Sequence, residues 1–399
     1  MFWGISKNVQ VKLPLRLIRI LRAMVLCGLC GCTPAPFDNG NSDNGAGNYK
    51  WDLPPGYPVP LVPDDNPMTK EKVELGRHLF YDVRLSGNET QSCSTCHIQE
   101  FGFADGVVNP VGSTGDIVPR NSPGLANVAY YTSYTWSSKL LRKLEQQTVI
   151  PMFGESPVEL GITGRDEEVL NRFSDDPAYQ KMFSDAFPDD ENQISFDNII
   201  KALSCFLRTM IAGNSPWDRA TYQGDSSALS ASARRGSELF FSERLECLHC
   251  HGGFNFTQAT QFEGTAFQEF AFHNTGLYNI DGEGAYPASD TGLIRFTGNP
   301  DDMGKFRAPS LHNIMVTAPY FHDGSVATID DVLDIYAAGG RNIEDGPNAG
   351  DGRENPFKSG FLRGFNLTTQ EREDLRAFFE ALTDESFLAD PRFSNPLDE

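Results

Sequence analysis

The chain has 399 residues, 39% of them hydrophobic, and a formal charge of −21. That length suggests about two domains, each able to bury a core, and the acidity argues against nucleic acid as a partner. All the acidic residues follow residue 32, so setting aside Lys7, Lys12, Arg16, Arg19 and Arg22 leaves −26 on the remainder. Such a surface suits a basic or neutral redox partner and also serves solubility.

Residues 1–22 are basic and Ala23 to Gly31 form a short apolar run, which reads as an export signal rather than a membrane anchor. Leu29-Cys30-Gly31-Cys32 resembles a bacterial lipobox with Cys32 as the lipidated residue, and Thr33 in place of Asp favours the outer membrane. The alternative is an ordinary cleaved signal with incidental cysteines. Either way the protein is expected to be exported, to the periplasmic or cell-surface side, and to meet a membrane only through such a lipid anchor. Residues 33–66 are rich in Pro, Gly, Asn and Asp and read as a flexible tether. A helix follows from Thr69 to Tyr81.

Next comes Cys93-Ser94-Thr95-Cys96-His97, which recurs as Cys247-Leu248-His249-Cys250-His251. A C-x-x-C-H run reads as a covalent c-type haem site. Cys93 and Cys96, like Cys247 and Cys250, would form thioethers with the haem vinyl groups, and His97 or His251 would ligate the iron. Zinc held by the two C-x-x-C pairs is the alternative; the pairs are far apart and each carries an extra histidine, which favours haem. Flanking residues repeat too: Gly76-Arg77-His78-Leu79-Phe80 matches Gly236-Ser237-Glu238-Leu239-Phe240, and Arg84-Leu85 matches Arg244-Leu245. The expectation is a mainly α fold of two tandem cytochrome c-like domains, 67–225 and 226–399.

Between the haem pairs helices are expected at 137–149, 166–174, 176–186 and 196–211, the last capped by Ser195, with residues 212–226 as a hinge. Cys205 lies on the apolar side of that fourth helix as an inert core thiol. Thr328 should start a helix that Gly339-Gly340 ends, and Thr368-x-x-Glu371 is a capping box for a last helix.

The chain from about 67 to 385 resembles the bacterial di-haem cytochrome c peroxidase family, which includes the MauG-type enzymes. The resemblance rests on Leu75-Gly76-Arg77-His78-Leu79-Phe80, Pro119-Arg120-Asn121-Ser122-Pro123, Phe306-Arg307-Ala308-Pro309-Ser310-Leu311 and Ala318-Pro319-Tyr320-Phe321-His322-Asp323-Gly324, in order with both haem pairs. It implies that hydrogen peroxide reacts at the N-terminal haem while the C-terminal haem relays electrons. Residues 111–118, where many members carry a distal histidine, contain none, which implies an open first haem. At the position of the second haem's distal methionine stands Tyr336; Met303 and Met315 are the alternatives for that ligand. The resemblance further implies Glu159 as the proton-moving carboxylate, with Glu155 its rival, Gln147 as its polar neighbour, and Trp136 as an inter-haem electron relay. It implies one calcium ion on Asn121 and the carbonyls of Thr317 and Pro319. The stretches 130–136 and 152–161 look most like the branch containing the methanobactin-cassette enzyme MbnH. That likeness implies oxidation of a tryptophan on a copper-associated partner protein. The rival readings are peroxide detoxification fed by a small cytochrome c or cupredoxin, and a di-haem electron carrier without catalysis.

Overall fold

In a computed structural model residues 49–398 are described; the export signal, Cys32 and the first part of the tether lie outside them. The chain folds as helices joined by long irregular segments: α1 (Lys70–Tyr81), α2 (Leu144–Phe153), α3 (Asp166–Ser174), α4 (Pro177–Ala186), α5 (Phe196–Arg208), α6 (Pro216–Tyr222), α7 (Ala231–Phe240), α8 (Ile329–Ala338) and α9 (Thr369–Glu380). One-turn helices form at Cys93–Cys96 and Leu248–His251. One-turn helices also form at Ile294–Thr297 and Glu385–Leu388, with several 3-10 turns and two antiparallel pairs of two-residue strands, His273–Asn274 with Lys305–Phe306 and Asn342–Ile343 with Gly350–Asp351. The class is mainly α. No helix among the described residues is long and apolar enough to cross a membrane.

The internal repeat is built from two crossed helix pairs. α1 meets α5 where a Cβ on Gly76 would lie 2.0 Å from Ala202 O; α7 meets α9 where a Cβ on Gly236 would lie 1.9 Å from Asp374 O. Only a residue without a side chain lets the backbones approach so closely. Each pair seeds an apolar cluster. The first collects Leu75, Leu79, Phe80, Ile199, Leu203 and Phe206, together with Phe387 and Phe393 from the far end of the chain. The second collects Phe240, Leu333, Leu375, Phe378 and Phe379. The repeat extends to the loops: Asn127 and Asn313 both take left-handed backbone angles (φ 60° and 61°) ahead of a short 3-10 turn. The side-chain oxygens accept from Ala212 N (2.9 Å) and Asp384 N (2.7 Å), just beyond α5 and α9.

Caps set several helix boundaries as expected. Thr69 accepts from Lys72 N, Ser195 from Asn198 N and Thr328 from Asp331 N, α8 stops at Gly339 with φ 76°, and Thr368 and Glu371 form the capping box. Three stretches differ. α2 starts at Leu144 rather than 137, because Ser137 Oγ accepts from Arg120 Nη2 and Ser138 Oγ accepts from Leu140 N, holding 137–143 in turns. The expected hinge 212–226 contains α6, started by a capping box between Ser215 and Asp218. Finally, the described part of the tether is packed: Tyr57 and Asn66 are 0% and 1% exposed, and Glu263 N donates to Val59 O.

Candidate active site

The two C-x-x-C-H runs reach the same local solution from different neighbours. Ser92 and Thr95 cap the turn of Cys93–Cys96, Ser92 N donating to Thr95 Oγ1 at 3.0 Å. His97 Nδ1 lies 2.6 Å from Phe103 O. A carbonyl only accepts, so Nδ1 carries the hydrogen and Nε2 keeps its lone pair for a metal. His251 Nδ1 is likewise 3.1 Å from both Phe256 O and Pro309 O. Phe103 and Phe256 both have positive φ, 63° and 48°, which turns each carbonyl toward its histidine. Burial holds both imidazoles below their usual range, His251 at about 4, which favours the neutral form.

Around His251 lies a cavity whose empty space, open solvent included, is about 1390 Å³. Its wall carries Cys247, Cys250 and His251, and also Tyr336 of α8, Trp136 and Arg307, against apolar residues such as Phe240 and Phe379. Neither Met303 nor Met315 is part of that wall. Burial and the neighbouring Cys250 and Cys247 push the Tyr336 phenol upward in the chain alone. His322 and His273 also reach the cavity. The first is stacked on Phe306 (3.5 Å between centroids), and the second has Nε2 3.0 Å from Gln258 Oε1.

At the first site, Glu159 is half-buried and its carboxyl is raised by burial, whereas Glu155 is exposed. The Glu159 charge bears on the Cys93 and Cys96 thiols, which burial pushes up to about 12 and about 11. The histidine-free stretch forms a hairpin, with Val111 bridged to Ile117, that clamps the Glu159 segment. Ser113 N donates to Glu159 O at 2.7 Å, Val158 N to Asp116 Oδ2 at 3.0 Å, and a Cβ on Gly112 would fall 1.8 Å from Val158 O. On α2, Gln147 Oε1 is buried with no hydrogen-bond partner. An orphaned buried acceptor is what a polar ligand at that place would satisfy.

Trp136 is 8% exposed and belongs to the apolar cluster of the second half. It lines the large cavity and a second one of about 540 Å³. Its Nε1–H donates to Asn121 O (2.9 Å) and its carbonyl accepts from Arg307 N (2.7 Å). Asn121, Thr317 and Pro319 all line the second cavity, and Asn121 Nδ2 donates to Val107 O, which leaves Oδ1 as the side chain's remaining donor atom for a cation. Sequence reasoning missed Asp105, which bears on Cys96 and His97 and accepts from Ser122 Oγ at 2.8 Å. It also gave no role to Arg307, 3% exposed with its guanidinium 3.7 Å over Tyr131. Asp105 stands in no local pattern that marks it, whereas Arg307 lies in the 306–311 stretch that carries the resemblance without a role of its own.

Comparison with known proteins agrees with this arrangement. The family described as di-haem cytochrome c peroxidase matches residues 70–227, and one described as RoxA-like, cytochrome c-like, matches residues 305–337. The methylamine utilization protein MauG of Methylorubrum extorquens is 31% identical over 374 residues, 92% of this chain and 94% of that protein. The cytochrome-c peroxidase IdrP1 of Denitromonas iodatirespirans is 35% identical over 357 residues, 85% of this chain and 88% of its own. Among solved structures, a MauG-like protein associated with microbial copper homeostasis superposes with a TM-score of 0.85 at 50% identity, covering 88% of this chain and 99% of that one. The di-haem peroxidase BthA of Burkholderia thailandensis shares the fold, with a TM-score of 0.61 at 20% identity over 82% of this chain and 90% of that one.

Proposed function

Because the chain belongs to the di-haem cytochrome c peroxidase/MauG family and so carries two haem c groups, we propose that it uses hydrogen peroxide to oxidise a tryptophan of a copper-associated partner protein. The observation that carries this reading is the 50% identity, over nearly the whole of that structure, with a MauG-like protein associated with microbial copper homeostasis. The residues fit the two groups: both histidines offer a bare Nε2, and the large apolar cavity gathers Cys247, Cys250, His251 and Tyr336. Cys93 and Cys96 would hold the first haem, in the half 67–225, and Cys247 and Cys250 the second, in the half 226–399. His97 and His251, with Tyr336 at the second site, would hold the haem iron. Bound there, haem would supply iron for reaction with peroxide at the first site and for electron exchange at the second.

Glu159 then moves a proton from the near to the far peroxide oxygen, and its raised carboxyl suits both taking and giving it. Gln147, whose buried Oε1 has no partner, would be the polar neighbour of Glu159. The hairpin 111–117 keeps Glu159 in place, and Trp136 links the two sites. Asn121 Oδ1 with the carbonyls of Thr317 and Pro319 would hold calcium beside that tryptophan. Cys32 would tether the exported protein through lipid.

Relatives named cytochrome-c peroxidase support a second reading, removal of peroxide with electrons from a small cytochrome c or cupredoxin. Mass spectrometry separates the two. After peroxide treatment, a copper-associated partner protein incubated with the holoenzyme should gain oxygen on one tryptophan. Rapid consumption of a reduced donor with an unchanged partner mass sinks the first reading.

A further inference from the structure

Tyr57 is completely buried, and its hydroxyl lies between an acid and an imidazole. It donates to Asp218 Oδ1 at 3.0 Å and stands 3.1 Å from His312 Nε2. That nitrogen is also 3.0 Å from Phe254 O, so Nε2 carries the hydrogen and can donate to the phenol oxygen. Asp218 is 0% exposed, and its other oxygen accepts from Ser215 N (3.0 Å) and Ser215 Oγ (2.6 Å). Burial raises the Asp218 carboxyl, making it a stronger base, and raises the Tyr57 phenol, which therefore keeps its proton at rest. His312 Nδ1 is buried without a partner, and the histidine lines the same cavity as Trp136.

Other buried tyrosines lack the full setting. Tyr130 donates to Pro58 O, which cannot keep a proton, the acceptor of Tyr179, Asp82, is already held by Arg84, and Tyr278 donates to Asp323 Oδ2 with no imidazole hydrogen-bonded to its hydroxyl. Tyr57 is also close to the second site in contacts. Its ring packs edge-on against Phe254 at 5.2 Å, His312 packs against Phe256 at 5.3 Å, and Phe256 O receives His251 Nδ1.

We propose that Tyr57 is a redox-active tyrosine that stores an oxidising equivalent from the second site as a neutral phenoxyl radical, its proton passing to Asp218. Loss of an electron makes a phenol strongly acidic, and a carboxylate already hydrogen-bonded to it takes the proton in the same step. The O–H bond breaks, one electron goes to the oxidised haem side, and the proton rests on Asp218 Oδ1. His312 Nε2–H stays bonded to the phenoxyl oxygen. The other electron of the two that turn H2O2 into two waters comes from the reductant of the peroxidase reaction. That reductant later restores Tyr57, with Asp218 returning the proton.

The proposal rests on peroxidase turnover, so the test has two arms. Ferric holoenzyme without substrate is oxidised either by an equimolar amount of hydrogen peroxide or by a flash-quenched ruthenium complex, frozen rapidly and studied by EPR. Both arms should show a tyrosyl radical whose pattern narrows with ring-deuterated tyrosine and which couples to an exchangeable deuteron in D2O. The signal should vanish in Tyr57→Phe and persist in Tyr130→Phe. A radical that survives Tyr57→Phe overturns the proposal. In the unaltered protein, a signal insensitive to deuterated tyrosine or without the exchangeable deuteron overturns it as well, whether or not the variant folds. So does a flash signal with no peroxide signal while peroxide is consumed. A flash signal with no peroxide consumption supports Tyr57 and counts against the peroxidase reading instead.

Discussion

Glu159 shows how one side chain is prepared by its surroundings. It sits on a segment fixed through backbone atoms by Ser113 and Asp116, while burial raises its carboxyl above the ordinary range near 4.5. A carboxyl that must first accept a proton is active only when deprotonated, so turnover should rise with pH through that elevated pKa. Glu159→Gln should retain both haems and lower peroxide consumption about 10²- to 10⁴-fold, the usual worth of a positioned acid–base group. The acidic limb of its rate–pH profile should also disappear. A variant with the native rate and the native limb would remove Glu159 from the chemistry. Much of this was legible: the C-x-x-C-H runs are contiguous, and the family resemblance pointed to Glu159 and Tyr336. Asp105, His312 and Tyr57 were not, because their meaning lies in distant partners. Tyr57 meets Asp218 and His312 across 161 and 255 residues.

Among the elements, the two crossed pairs α1–α5 and α7–α9 bear the closest packing. A methyl group at Gly76 or Gly236 would face a backbone carbonyl at 2.0 or 1.9 Å, and neither carbonyl can move without shifting its helix. Gly76→Ala and Gly236→Ala should each cost about 1–3 kcal/mol by overpacking, read as a lower midpoint in urea unfolding. An Ala at Gly360, where φ is not left-handed and nothing lies within 4 Å, controls for loss of a glycine without the close approach; equal losses at all three sites would deny the close approach its importance. Helices with local caps, such as α8 and α9, could be bounded from sequence because Thr328, Gly339, Thr368 and Glu371 act on their own helix. The start of α2 could not. Ser137 is engaged by Arg120, and Arg120 by Asp290, 170 residues further on.

Over the whole molecule, the proposed electron route between the two haem sites runs through Trp136. Trp136 belongs to the wall of both cavities, and its indole is tied to the carbonyl of Asn121, itself a candidate calcium ligand. Trp136→Phe should slow oxidation of the second haem after peroxide addition, measured by stopped-flow absorbance, while both ferric spectra stay as they were. Chelation of calcium with EGTA should slow the same step, and Asn121→Ala should make the protein indifferent to the chelator. An unchanged rate in Trp136→Phe would show that electrons take another route.

The apolar cluster around α1 and α5 includes Phe387 and Phe393, each 3% exposed, a burial worth about 1.5–3 kcal/mol apiece. Arg77 donates to Ser394 O, Tyr81 to Phe393 O, and Gln99 to Phe387 O and Asp390 O. This has a consequence for the order of biogenesis. A chain is made from its N-terminus, so Phe103 and Phe206, whose rings meet Phe387 or Phe393, stay partly uncovered until the last residues have been added. Truncation before residue 384 should leave those rings bare and lower the unfolding midpoint of the first half.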